Sequence, residues 1–283
     1  MISRLSVTIV RACLREGSGG SPTAVLDEMP LSDDERCRVP VLAGTSHAAF
    51  VAVRGSEVSL RFFTAEGELP ACGHGTVAAL AFLAARAGGS EYRGTLRAGG
   101  RSFAGRAVRE GTRFRAGFEP GPVETREPSA DETALVLPPL GITPDALAPG
   151  ARVASIGRAR LLVPVVSHAA LAALAPDFEG LRAACDRLGL LGCYVYSVPT
   201  RSGGITARMF APSIGVPEDI ANANSTACLA ADLAARGVTE IAVDMGDSLG
   251  SPATITASAR PVPRLGGVAE VDGAVREFAV ETR

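Results

Sequence analysis

Lysine is absent from all 283 residues. Without a side-chain amine no Schiff base can form to pyridoxal phosphate or to a carbonyl substrate, and a Walker-type phosphate loop has no cation. Tryptophan is absent too, and histidine is confined to His47, His74 and His168, so the candidate acids and bases form a short set. The six cysteines, Cys13, Cys37, Cys72, Cys185, Cys193 and Cys228, show neither CxxC nor Cys/His spacing. That argues against a disulfide framework and a structural zinc site, and no metal is expected. With 28 basic and 30 acidic residues spread along the chain there is no basic run to track a phosphate backbone, so nucleic acid is not an expected partner. No Gly-x-Gly-x-x-Gly joins a strand to a helix. The segment Met1–Cys13 alternates apolar and polar residues like a strand and lacks the apolar core of a signal peptide or membrane span. The expectation is a cytoplasmic protein with no membrane partner.

What is present is enough apolar material, 47% of residues, for two cores. The chain also repeats itself. Arg61-Phe-Phe-Thr-Ala matches Arg208-Met-Phe-Ala-Pro at an offset of 147, and Ala81-Phe-Leu-Ala-Ala-Arg-Ala87 matches Ala231-Asp-Leu-Ala-Ala-Arg-Gly237 at 150. Gly75-Thr76 and Ser225-Thr226 share the second offset. Each copy reads as a strand, a polar turn and an Ala/Leu-rich helix ended by Gly88 or Gly237. The predicted domains are 1–122 with a central helix at 73–87 and 123–264 with one at 223–236, the strands of 265–283 belonging to either. Strands are predicted at Leu5–Arg11, Thr23–Asp27, Ala49–Val53, Val58–Phe63, Arg160–Val165, Tyr194–Ser197, Ile205–Phe210, Ile241–Met245 and Ala253–Ala259. Short helices are predicted at Asp33–Leu42, Ala169–Ala175 and Phe178–Leu188. Pro- and Gly-rich runs at Phe118–Pro128 and Pro138–Pro149 read as an interdomain connection and a surface loop.

Helix N-termini offer unpaired N–H groups and a positive dipole end, so two of them can receive a carboxylate without any lysine. At the first, Cys72-Gly-His-Gly-Thr76, Gly73 and Gly75 allow close backbone approach and His74 can donate or accept. At the second, Glu218-Asp-Ile-Ala-Asn-Ala-Asn-Ser-Thr226, Asp219 supplies a carboxylate and Asn222, Asn224, Ser225 and Thr226 supply hydrogen-bonding groups. The asparagines, hydroxyls and Asp219 equally suit plain helix capping. His168, before an apolar helix, reads as a capping or surface residue.

The run Phe62-Phe-Thr-Ala-Glu-Gly-Glu-Leu-Pro-Ala-Cys-Gly-His-Gly-Thr-Val resembles the "FTP…ELPxCGHAT" signature of PhzF-like isomerases, relatives of diaminopimelate epimerase. Gly20-Ser-Pro-Thr-Ala-Val-Leu-Asp resembles their "GNPxAVVLD", Arg160-Leu-Leu-Val-Pro-Val the opening of their second domain, and Arg208-Met-Phe-Ala-Pro with Glu218-Asp219 their "RxFAP…EDPATGSA". The resemblance implies an α+β fold of two similar domains, each wrapping antiparallel strands around a central helix, with a site in the cleft between them. It further implies proton movement at a carbon near a carboxylate without metal or organic cofactor, and a possible homodimer. His74 and Asp219 fall at the family's active-site histidine and aspartate. Ser21, Cys72, Gly73, Gly75, Asn222, Asn224 and Ser225 join the expected substrate-binding set.

Two departures fall on this site. Where the family has the general acid/base glutamate of "SETxFV", the chain reads Ser46-His-Ala-Ala-Phe-Val51, which puts His47 in the catalytic position. Where the family has "PATGSA", it reads Ile220-Ala-Asn-Ala-Asn-Ser225. A neutral imidazole, pKa about 6.5, is a stronger base than a carboxylate of about 4.3, so the exchange is compatible with proton transfer. The expected activity is a double-bond shift in a small unsaturated carboxylic acid of secondary metabolism, such as a pyrroline carboxylate of an antibiotic pathway. The alternatives are a two-cysteine amino-acid racemase using Cys72 and Cys228, and a degenerate member that binds a metabolite without turnover.

Overall fold

The computed structural model describes residues 2–199, 204–259 and 263–281. The chain forms two compact units, Met1–Glu119 with Arg264–Arg283, and Pro120–Pro263.

The first unit runs β1 (Ile2–Ala12), β2 (Ser21–Asp27), α1 (Asp33–Ala43), β3 (His47–Arg54), β4 (Glu57–Thr64), β5 (Gly67–Leu69), α2 (Gly73–Ala87), β6 (Glu91–Ala98), β7 (Arg101–Glu110) and β8 (Arg113–Phe118). The second runs β9 (Glu124–Arg126), α3 (Ala130–Leu140), β10 (Arg152–Ile156), β11 (Arg158–Val165), α4 (His168–Ala172), α5 (Phe178–Leu188), β12 (Cys193–Ser197), β13 (Ile205–Ala211), β14 (Val216–Asp219), α6 (Ala223–Ala234), β15 (Glu240–Met245) and β16 (Ala253–Ser258). The last strand, β17 (Arg264–Glu281), belongs to the first unit.

In the first unit the pairings β4–β6–β7–β8–β17–β1–β2–β3–β4 close into a ring around α2. β2–β3 and β4–β6 are its parallel pairs. The same order recurs in the second unit: β10–β11 antiparallel, β11–β12 parallel, β12–β13 antiparallel, β13–β15 parallel and β15–β16 antiparallel. The repeated sequence runs are therefore β4 with β13 and α2 with α6. This is the α+β fold of two similar units that the resemblance implies.

Both central helices are largely apolar and buried among strands, α6 also burying Asn224, Ser225, Thr226 and Asp232. α2 is buried throughout Gly73–Ala84, and fully burying a side chain such as Leu80 is worth about 1.5–3 kcal/mol. Its alanines let the wall come close. On β7 a Cβ at Gly105 would lie 2.8 Å from both Leu80 Cδ2 and Leu96 Cδ1.

One helix overturns a sequence reading. Pro138 and Pro139, read as the start of a loop, close the last turn of α3. Ser129 and Glu132 open that helix with a reciprocal capping box, and Gly141 ends it in the left-handed conformation at φ 71°. Val136 and Leu140 carry the helix into the core of the second unit.

Candidate active site

In the first unit His47 opens β3, and its parallel partner on β2 is Thr23. Residues paired in this way share a face of the sheet, and Ser21, two residues earlier, shares it too. Both Ser21 Oγ and Thr23 Oγ1 are fully buried and make no hydrogen bond among the described residues. The His47 and His74 rings meet edge to face, centroids 4.4 Å apart at 84°. Ser46 Oγ lies 2.9 Å from His47 Nδ1; in the tautomer whose Nδ1–H donates to that hydroxyl, Nε2 carries the lone pair. Cys72 Sγ lies 3.5 Å from His74 Nε2. Burial pushes the His47 imidazolium well below the usual histidine range, and the neighbouring His74 pushes it further, so His47 is a neutral base at neutral pH.

α2 begins at Cys72, which is extended and makes no side-chain cap. The first amides of a helix have no intrahelical acceptor, and here those of Gly73 and Gly75 are offered to an anion. Space at Gly75 is tight, since a Cβ would come within 2.9 Å of Cys72 Sγ and 3.0 Å of the Phe62 ring. The sequence offered no Cys/His metal pairing, yet the fold makes one. One ligand atom from each of His47, Cys72 and His74 lies within 4.8 Å of the others, and all three residues are buried.

In the second unit Asp219 ends β14 and is buried. Asn222 caps α6: its Oδ1 accepts from Ser225 N at 3.0 Å while its Nδ2 donates to Asp219 Oδ2 at 3.0 Å. Thr226 Oγ1 bonds to Asn222 O and to the Tyr194 hydroxyl. Asn224 and Ser225 are buried. His168 is exposed at the start of α4, where Ser167 supplies the cap and His168 Nδ1 meets Thr206 Oγ1 at 3.0 Å.

Arg160 was not read as a site residue. Its side chain is only 1% exposed, donates to Arg158 O, Ile156 O and Ser225 Oγ, and pairs with no carboxylate among the described residues. Its Nε has no hydrogen-bond partner among the described residues. A desolvated cation beside a helix start suits an anion. The sequence signal was an arginine directly before the apolar run Leu161–Val165, where alternation would place it at a surface.

Two units with one strand and helix order, each built around a buried helix, define the diaminopimelate epimerase-like class. A probable proline racemase of Agrobacterium radiobacter K84 shares that fold, with a TM-score of 0.63 at 11% identity over 99% of this chain and 93% of its own. The sequence model for the phenazine biosynthesis-like proteins, PhzC-PhzF, matches residues 13–273, and the chain belongs to that family. YddE of Salmonella typhimurium, named an uncharacterized isomerase, is 30% identical over 228 residues, 78% of this chain and 75% of its own. The solved structure of PA4716 from Pseudomonas aeruginosa, titled a predicted epimerase, has a TM-score of 0.85 at 24% identity over 99% of this chain and 100% of that one. The chain is an isomerase of the PhzF family. Among the described residues no helix is long and apolar enough to cross a membrane.

Proposed function

We propose that this isomerase moves a double bond within a small unsaturated carboxylic acid by a proton shift that uses no cofactor. His47 Nε2 takes a proton from one carbon, the C–H electron pair becomes the new double bond, and the displaced π pair accepts the proton at the carbon two positions away. The observation that carries this reading is the buried, neutral His47 beside His74. A positioned general base contributes typically about 10²–10⁴-fold. Negative charge developing on the carboxylate and the adjoining carbons would be held by the first-turn amides of α2 at Gly73 and Gly75 and by the Ser21 hydroxyl; one such donor is worth roughly 10²–10³-fold. His74 orients the substrate or relays the second proton. Asp219, Asn222, Asn224 and Ser225 are proposed as further substrate-holding groups, with Arg160 as an added receptor for a carboxylate. A pyrroline carboxylate of an antibiotic pathway is the substrate type proposed first.

The two-thiol alternative is poorly supported. At the repeat offset the counterpart of Cys72 is Asn222, while Cys228 sits inside α6 with its thiol pushed up by burial, away from service as a base. Proton NMR in D₂O on a panel of unsaturated carboxylic acids, pyrroline carboxylates first and dihydrohydroxyanthranilate as control, tests the proposal. Migration of a double bond with deuterium entering at its new terminus supports it. An acid that binds without exchange or migration would identify a binding protein instead.

A further inference from the structure

The cluster of His47, Cys72 and His74 can do something a proton shift does not need. Tetrahedral zinc sites hold nitrogen at about 2.0–2.1 Å and sulfur at about 2.3 Å, so donor atoms sharing such an ion stand roughly 3.3–3.7 Å apart. Cys72 Sγ and His74 Nε2 already meet that spacing at 3.5 Å. The wider limit of 4.8 Å for the whole set requires a closure of about 1 Å, within reach of side-chain rotation. One thiolate with two imidazoles suits zinc, and not magnesium or calcium, which take oxygen ligands. Two supports are built in. The Ser46 hydroxyl beside His47 Nδ1 can accept from Nδ1–H, the arrangement that leaves Nε2 to ligate. Cys72 sits at the N-cap of α2 and its side chain makes no cap bond, so Sγ is not committed to the helix.

We infer that His47, Cys72 and His74 form a three-ligand site for a thiophilic divalent ion, Zn²⁺, whose binding shuts the enzyme off by occupying the lone pair of His47. Three protein ligands leave a fourth position for water or for the carboxylate of a bound acid. The ion displaces the thiol proton of Cys72, which passes to solvent, and nothing is oxidised or reduced. Zinc here is an inhibitor of the proposed proton shift, so its binding can be measured independently of that reaction.

The test uses the full chain, reduced and freed of metal by a chelator, titrated with Zn²⁺ in a calorimeter and with Co²⁺ in an absorption spectrometer. One Zn²⁺ per chain is expected, with no heat from Mg²⁺, and Co²⁺ is expected to give the near-ultraviolet charge-transfer band of a cobalt–thiolate bond. Cys72→Ser should abolish that band. Cys72→Ser and His47→Gln should each weaken Zn²⁺ binding by roughly 10–100-fold or more, the scale of losses at metal sites. His168→Ala, which removes the exposed third histidine, should change nothing. Circular dichroism confirms that each variant is folded. Absence of the charge-transfer band, or equal Zn²⁺ affinity in wild type and Cys72→Ser, overturns the inference. Isomerisation by the metal-free protein is followed separately: turnover without zinc binding defeats only this inference, and zinc binding without turnover on any acid defeats only the proposed reaction.

Discussion

The repeat places the same ion pair in both units at very different depths, and replacing the arginine should cost very different amounts. In the first unit Arg61 grips Glu68 through Nε and Nη2 at 2.8 and 2.6 Å, the side chains being 34% and 40% exposed. In the second, Arg208 grips Glu218 in the same fork at 2.9 and 2.8 Å, but the exposures are 13% and 9%. Each guanidinium also lies 4.9 Å from the centroid of an equivalent ring, Phe63 or Phe210, so the ring contact does not separate the two sites. Arg208 Nη1 additionally donates to Leu171 O at 3.2 Å and to Leu174 O at 2.8 Å. Arg208→Met keeps most of the apolar stem but leaves a buried carboxylate uncompensated, a loss of about 3–5 kcal/mol. Arg61→Met breaks two solvated pairs, to Glu68 and to Asp33 at 2.9 Å, each worth about 0–1 kcal/mol. At roughly 2–4 °C per kcal/mol for units of this size, the melting temperature should fall by about 6–20 °C for Arg208→Met and by no more than about 8 °C for Arg61→Met. Urea unfolding and thermal melts of the two variants measure this directly. Equal losses, or a larger loss at Arg61, would refute the argument that burial decides the value of the pair.

Gly75→Ala should destabilise the protein and impair turnover: the overpacking penalty of about 1–3 kcal/mol against Cys72 and Phe62 exceeds the roughly 1 kcal/mol that alanine adds to a helix. A thermal melt at or above the wild-type midpoint contradicts this. Because His47 is held below its ordinary 6.5, its base form persists as pH drops through 6.5, and the acid limb of kcat/KM for the metal-free enzyme should lie well below that value. The sign for stability agrees: burying a neutral histidine contributes fully above pH 6.5 and progressively less below it, as the unfolded chain takes up a proton first. Glu132, held down to about 2 by Arg126, behaves as a depressed carboxylate: its contribution to α3 is complete above 4.5 and disappears as pH falls toward 2. In acid titrations Glu132→Gln should therefore show a smaller loss over that interval than wild type.

Much of this architecture was legible because it rests on local pattern. The apolar runs gave β4 and β13, the glycine stops gave the central helices, and the constant offset tied the two together. Strands β6–β8 were not read, because their inward residues, Leu96, Ala98, Ala107, Phe114 and Ala116, are few and mostly small, and arginines fill the outer face. Strands were read at 265–283 but not assigned to a domain, because Gly266, Gly267, Asp272 and Gly273 interrupt a strand that is placed by its pairing with β1 and β8 and not by its own propensity. α3 hid behind its two terminal prolines. At the site, family resemblance marked His47, His74 and Asp219, and Gly-His-Gly was conspicuous by itself. The cluster of His47 with Cys72 and His74 was not visible, since it depends on the pairing of β2 with β3 and on where the start of α2 lies relative to it. Arg160 escaped because a buried cation cannot be told from a surface one by residue type.

The central claim is that His47 moves the proton. Its most direct test is the rate of solvent deuterium entering a substrate acid, followed by proton NMR in D₂O with the metal-free wild type, His47→Gln and Cys72→Ala. Loss of exchange by roughly 10²–10⁴-fold in His47→Gln, with exchange retained in Cys72→Ala, is the predicted result. Exchange that survives in His47→Gln and disappears in Cys72→Ala would contradict it and transfer the role of base to the thiol.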